Sequence, residues 1–291
     1  MTLGIDVQGL TVRYGDVTAI DDLSVSLAGG KIYGLLGRNG SGKTTLMSSI
    51  AAFMRVEHGQ VLVGGQQPYE NPAITEQVYL IRESGDFADQ ESVRGQLRRT
   101  KRFRPQWDGE FAERLLELFQ VPDRRTVSRL SRGQRSALGI TLGLAARAPV
   151  TMLDESYLGM DAPTRYAFYD ILLEDYMQHP RTFIISTHLI EEVSRLFEEV
   201  VILDRGRLIA HEETETLRMK GAAVTGPASV VERFTDGMTV LSERRLGGTK
   251  SVTVLGEMGE RQRDVAQAHG LELEPVGLQD LFVHLTKEGP A

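Results

Sequence analysis

The chain has 291 residues, 41% of them apolar and 25% charged, and carries a net charge of −7. That is the make-up of a folded globular protein long enough for one large domain and a small one, and it excludes a disordered or membrane-embedded chain. The acidic balance argues against a protein that coats nucleic acid, which needs clustered Lys and Arg; the absence of cysteine excludes disulfides, thiolate nucleophiles and Cys-based zinc sites and suits a reducing compartment.

In chain order, the N-terminus MTLGIDVQGL lacks a basic segment ahead of an apolar core, so secretion is not expected. No stretch reaches the roughly 18 to 20 uninterrupted apolar residues of a membrane span. The runs IDVQGLTVRY, IDDLSVSLAGG and KIYGLLG predict early strands with Gly29 and Gly30 as a turn. GRNGSGKTTLMSSIAAFM then predicts a glycine-rich loop passing into a helix with Leu46, Ile50 and Phe53 on one face. Strand character fades over about residues 84–147, from Ser84 to Arg147, which reads as an inserted helical subdomain. Strand VTMLDES, helix APTRYAFYDILLEDYMQ, strand RTFIISTH, helix LIEEVSRLFEEV and strands VVILD and RLIAHE follow. Alternating strands and helices predict an α/β core with a mostly parallel sheet. Past Leu217, KGAAVTGPAS reads as a linker to a small C-terminal α/β appendage. The expected division is therefore 1–216 for the core domain and 217–291 for an accessory domain.

The stretch from Gly37 to Thr45 fits G-x-x-x-x-G-K-[ST], flanked by a predicted strand and helix as a phosphate-binding loop requires. Gly37, Asn39, Gly40, Ser41, Gly42 and Thr45 shape a backbone whose N–H groups point at phosphates, aided by the positive end of the following helix. Lys43 reaches the β/γ-phosphates, and Thr44 offers a hydroxyl to Mg²⁺. Asp154 and Glu155 end an apolar strand, where alternation directs neighbouring side chains differently and permits distinct roles. Such acids hold Mg²⁺ or orient the attacking water in phosphate-loop enzymes. His188 closes the next apolar strand, at the sheet edge where α/β folds bind ligands. Tyr14 sits in an early turn and is read either as a stacking face for a base or as packing. Ser131 is a candidate N-cap, Gly133 permits close backbone approach, and with Gln134 they begin a helix whose positive end faces outward.

In order, Tyr14, the loop Gly37 to Thr45, Leu130 to Gln134, Thr151 to Glu155 and His188 resemble the aromatic loop, Walker A, signature, Walker B and switch histidine of ABC ATPases, over about residues 1 to 215. The resemblance implies a phosphate-loop NTPase fold and ATP hydrolysis with Mg²⁺. It also implies a head-to-tail homodimer or heterodimer in which Ser131, Gly133 and Gln134 meet the partner's ATP. By matching, Asp154 and Thr44 are Mg²⁺ ligands, Glu155 the catalytic base, Lys43 and His188 catalytic contacts, and Asp161 in YLGMD lies near the dimer interface. The chain departs from the pattern at Arg132, at Ser156 and in LIRES, where Arg82 and Glu83 stand at the expected glutamine. Arg132 is read either as added charge near the γ-phosphate or as a solvent-facing residue. The stretches SALGITLGLAARAP, FYDILLEDYMQHPRT, STHLIEEVSRLFEEV and LELEPVGLQDLFVHLT are similar to bacterial ATPase subunits of ABC-2-type exporters, including those encoded beside GntR-type regulators. That implies a separate membrane permease, no nucleic acid partner, and a cytoplasmic chain peripheral on the inner face of the membrane. The alternative is a soluble ABC ATPase acting on nucleic acid or ribosomes, which the single cassette and the acidity disfavour.

Overall fold

The computed structural model describes residues 2–83 and 87–286; the predicted start of the helical region at Ser84 lies outside them. The chain forms two compact units, Met1–His188 with Leu203–Leu208 and Leu189–Ile202 with Ile209–Ala291. In chain order the first unit holds β1 (Ile5–Tyr14), β2 (Val17–Leu27), β3 (Ile32–Gly37), α1 (Lys43–Ile50), β4 (His58–Val63), α2 (Pro72–Thr75) and β5 (Val78–Arg82). It continues with α3 (Val93–Arg102), α4 (Gly109–Leu118), α5 (Arg132–Ala145), β6 (Val150–Asp154), α6 (Ala162–Gln178) and β7 (Thr182–Ser186).

Strands β2, β1 and β4 form an antiparallel sheet, and their alternating burial suits a sheet with one face on the core. The strands β3, β6 and β7 are buried at every position, as strands covered on both faces must be. They pair in parallel in the order β5, β6, β7, β3, with Arg82 beside Asp154 and Asp154 beside Ser186. This register brings the C-terminal ends of three strands level, at the edge where such sheets bind ligands.

Helix α1 starts where Gly42 takes a left-handed conformation, φ 101°, and a Cβ there would stand 2.6 Å from the Ala19 carbonyl oxygen. Leu46 and Ile50 are buried as expected, but the helix ends at Ile50 and Ala52 turns left-handed, so Phe53 is exposed rather than part of the helical face. In the helical region Ser92 caps α3 by accepting from Gly95 N–H at 3.1 Å, and Asp108 caps α4 by accepting from Phe111 N–H at 2.9 Å. Helix α5 packs through Gly139 and Gly143 onto Ile81 of β5, leaving no room for a Cβ at Gly143.

The second unit contains α7 (Ile190–Val193), most of β8 (Glu199–Asp204) and of β9 (Arg207–Glu213), α8 (Thr214–Met219), β10 (Gly221–Pro227), α9 (Ala228–Phe234), β11 (Thr239–Leu246), β12 (Thr249–Leu255), α10 (Glu260–Ala268), β13 (Glu272–Pro275) and α11 (Leu278–Leu285). Two expectations are corrected here. The helix expected over LIEEVSRLFEEV is four residues of α7 and a 3-10 turn, because Glu199 already begins β8. The expected linker is strand β10, and its Ala222 and Val224 join a core with Val231, Val252, Val254 and Leu271. Gly, Ala and Pro lowered the strand signal there, and cross-strand packing overrode it. Elements β10 to β13 run β-α-β-β-α-β, with sheet order β11, β12, β10, β13 and antiparallel pairing throughout. No helix among the described residues is long and apolar enough to cross a membrane.

Candidate functional site

A cleft of about 510 Å³ in the first unit brings together Tyr14, residues 39–45, Glu83, Asp154 and Glu155. Its floor is the loop between β3 and α1. Lys43 is buried there, and its ammonium donates to the carbonyls of Gly37 at 2.7 Å and Arg38 at 3.2 Å, 3.9 Å from Glu155. Burial pulls the Lys43 pKa below its ordinary value, while the Glu155 and Asp154 carboxylates push back. Gly37 has the parallel-sheet end on one side and Ser41 on the other, and a Cβ would come 2.7 Å from the Leu203 carbonyl. Tyr14 is exposed at the rim, with its hydroxyl toward Met54 Sδ at 3.6 Å.

Asp154 is buried, and both of its oxygens accept hydrogen bonds: Oδ2 from the Thr44 hydroxyl at 2.7 Å and Oδ1 from the Ser186 hydroxyl at 2.8 Å. The sequence reading missed Ser186. Its signal was the last position of the apolar run FIIS, level with Asp154 on the neighbouring parallel strand. Glu155 has a positive φ of 51°, a conformation that costs a non-glycine residue about 1–3 kcal/mol and collects at functional sites. It lies 3.3 Å from His188 Nδ1 through Oε2. The predicted residues Tyr14, Asn39 to Thr45, Asp154, Glu155 and His188 are thus gathered in one region.

Ser131, Gly133 and Gln134 do not line this cleft. They begin α5 in a capping box: the Ser131 hydroxyl accepts from Gln134 N–H at 3.2 Å, and Gln134 Oε1 accepts from Ser131 N–H at 3.2 Å. Both side chains are therefore engaged in capping the start of the helix. Gly133 approaches backbone, since a Cβ would be 3.1 Å from the Gly159 carbonyl. Asp161 caps α6 by accepting from Thr164 N–H at 3.0 Å, and hydrogen bonding to Thr164 lowers its pKa. Arg132 faces solvent, the second of its two readings, and there forms an ion pair with Glu83; it does not line the cleft. Of the two residues at the expected glutamine, Glu83 lines the cleft, while Arg82 turns to the Phe53 ring, 4.8 Å from its centre.

The donor set fits a magnesium nucleotide. Ser41 Oγ is buried in the loop without a protein partner, the backbone curls tightly enough to exclude Cβ atoms, and Thr44 with Asp154 presents hard oxygens. Mg²⁺ is commonly held by one or two protein oxygens together with phosphates, and Thr44 and Asp154 would provide them.

Residues 20–157 match the family model described as ABC transporter. The chain is 28% identical over 304 residues to the daunorubicin resistance ATP-binding protein DrrA3 of Streptomyces coeruleorubidus, covering 97% of this chain and 95% of that one. It is 29% identical over 300 residues to the methionine import ATP-binding protein MetN of Cupriavidus metallidurans, covering 92% and 85%. It is 26% identical over 300 residues to the Nod factor export ATP-binding protein I of the same organism, covering 98% of each. A solved ATP-binding subunit of an ABC transporter shares the fold, with a TM-score of 0.67 and 22% identity over 74% of this chain and 91% of that one. With its phosphate loop, paired acids and histidine gathered at the end of a parallel sheet, the chain carries the site of an ATPase and is similar, through residues 20–157 and along these relatives, to the ATP-binding proteins of ABC transporters.

Proposed function

We propose that the chain is the ATP-hydrolysing subunit of a bacterial exporter of the ABC-2 type, acting with a separate membrane permease from the cytoplasmic face as a head-to-tail dimer. The observation that carries the hydrolytic part is the convergence of Thr44, Asp154, Glu155 and His188, with Lys43 beneath them. Thr44 and Asp154 would hold Mg²⁺, whose charge screens the phosphates. Lys43 exchanges its loop carbonyls for phosphate oxygens. Glu155 accepts a proton from the attacking water and is oriented by His188. Tyr14 offers its exposed ring to the base. Ser131, Gly133 and Gln134 present the positive end of α5 to the nucleotide of the second subunit.

Support for a permease partner comes from a groove of about 470 Å³ in the first unit, lined among others by Phe53, Arg82, Arg99, Phe103 and Arg104. Exposed aromatic rings beside guanidinium groups suit an amphipathic segment of another protein. The export reading is favoured by near-complete coverage of a relative named for export, as is membership of the GntR-associated group by the stretches in α5, α6 and the C-terminal unit. Import is the second reading, because a relative named for methionine import also covers most of the chain. The test is capture of tagged Glu155→Gln chain with ATP and Mg²⁺ from detergent-solubilised membranes. A stoichiometric polytopic protein is expected, and reconstitution of the pair in vesicles then reads the direction of transport. Recovery of ribosomes or nucleic acid instead would overturn the transporter role.

A further inference from the structure

Two cations can neutralise Glu83: the divalent ion that accompanies the nucleotide, and Arg132, which already holds it. The cleft is lined by three carboxylates, Glu83, Asp154 and Glu155, around the ammonium of Lys43. A triphosphate entering it is repelled by any of these acids left without a counter-charge. Asp154 accepts hydrogen bonds from hydroxyls through both oxygens, and Glu155 lies 3.9 Å from the Lys43 ammonium. Glu83 pairs with Arg132, and that pair is exposed, with side-chain accessibilities of 46% for Glu83 and 72% for Arg132.

Arg132 is itself an unexpected residue where it stands. It opens α5, whose first turn has no acid, and a cation at a helix N-terminus meets the positive end of the dipole. Its neighbour one turn on, Arg135, forms an ion pair with Asp89. Each arginine of this turn thus faces a carboxylate on the segment after β5. Exposed pairs of this kind contribute only about 0–1 kcal/mol, so a hard divalent cation that prefers carboxylate oxygen can displace the guanidinium.

We propose that Glu83 is an exchangeable acid of the nucleotide cleft, and that Arg132 competes for it with the nucleotide's divalent cation. The pair thereby sets how strongly ATP binding depends on Mg²⁺. This rests on the reading of the cleft as a magnesium-nucleotide site. Without the cation, Arg132 screens Glu83 and lets nucleotide bind weakly. With the cation, Glu83 turns to the metal side and Arg132 is released at the start of α5.

The experiment measures a fluorescent, non-hydrolysable ATP analogue by anisotropy, in EDTA and in Mg²⁺, and reads the ratio of the two dissociation constants. Arg132→Gln is expected to widen that ratio about two- to fivefold, the range of one exposed ion pair, because Glu83 then repels metal-free nucleotide. Glu83→Gln narrows it by at least as much. The double variant behaves as Glu83→Gln alone, and Glu83→Asp, which keeps the charge, stays near the wild type. An unchanged ratio in Glu83→Gln, or an Arg132→Gln effect that persists in the double variant, overturns the proposal. A Glu83→Asp ratio displaced as far as that of Glu83→Gln also overturns it, by assigning Glu83 a structural role. In each of these cases wild-type nucleotide binding would still respond to Mg²⁺, leaving the reading of the cleft intact. A wild-type chain with no response to Mg²⁺ overturns both.

Discussion

The two ends of α5 carry the same chemistry in opposite settings. At its start Arg132 meets Glu83 in the open; beyond its end Arg147 meets Asp175, which also accepts from Arg181 at 2.7 Å, and the Asp175 and Arg181 side chains are only 2% and 5% accessible. Arg181 further donates to the Leu144 carbonyl in the last turn of α5, and Arg147 to Asp108, the cap of α4, at 2.9 Å. A buried guanidinium and carboxylate cannot part without leaving an uncompensated charge, whereas an exposed pair exchanges its partners for water or ions at little cost. The same helix is therefore anchored at its C-terminal end and adjustable at its N-terminal end, next to the cleft.

The largest effect that can break this contrast is expected at Asp175. Asp175→Ala leaves Arg181 buried without a carboxylate and should cost about 3–5 kcal/mol, read as a fall in the urea midpoint. A loss below about 1 kcal/mol would put the two ends on one footing. Catalysis tests the cleft side on a comparable scale: Glu155→Gln should lower ATP turnover about 10²- to 10⁴-fold with the melting temperature unchanged. An unaltered turnover would remove Glu155 from the role of base. At the start of α5, Ser131→Ala removes the cap and should cost about 1 kcal/mol, with Ser131→Thr restoring most of it.

A pH titration sharpens the C-terminal end. Burial raises the Asp108 pKa, but the backbone N–H of Phe111 and the Arg147 guanidinium outweigh it, so its folded value lies below the ordinary one. The unfolded chain then takes up this proton first as pH falls. The stability Asp108 supplies is complete above the ordinary carboxylate pKa of about 4 and is lost as pH drops through the folded value. Asp108→Asn keeps an N-cap and should show a shallower loss of urea midpoint between pH 5 and pH 3; an identical slope would mean the charge is idle. The smallest effect belongs to Arg132→Gln, expected to shift stability by no more than about 1 kcal/mol in thermal melts. A larger loss would make that end structural as well.

Much of the first unit was legible in the chain itself. Parallel strands buried on both faces are continuous apolar runs, so IYGLLG, VTMLD and TFIIS announce themselves, and the phosphate loop does so because Gly37 and Gly42 stand where no Cβ fits. The same locality made Lys43, Thr44, Asp154, Glu155 and His188 readable as a set. The second unit was less legible: β10 contains Gly, Ala and Pro, which disfavour strands, and its pairing with β12 and β13 makes it one.

The sequence by itself determined the α/β core, the nucleotide loop and the acids that face it, because those depend on local backbone geometry and short-range periodicity. Tertiary structure alone decided that Ser186 shares Asp154 with Thr44 and that Glu83 rather than Arg82 lines the cleft. Those outcomes depend on strand register and on contacts between residues far apart in the chain, such as the 49-residue separation of Glu83 and Arg132. Residue type and spacing do not encode which distant partner a charged side chain will meet; packing of α5 against β5 does.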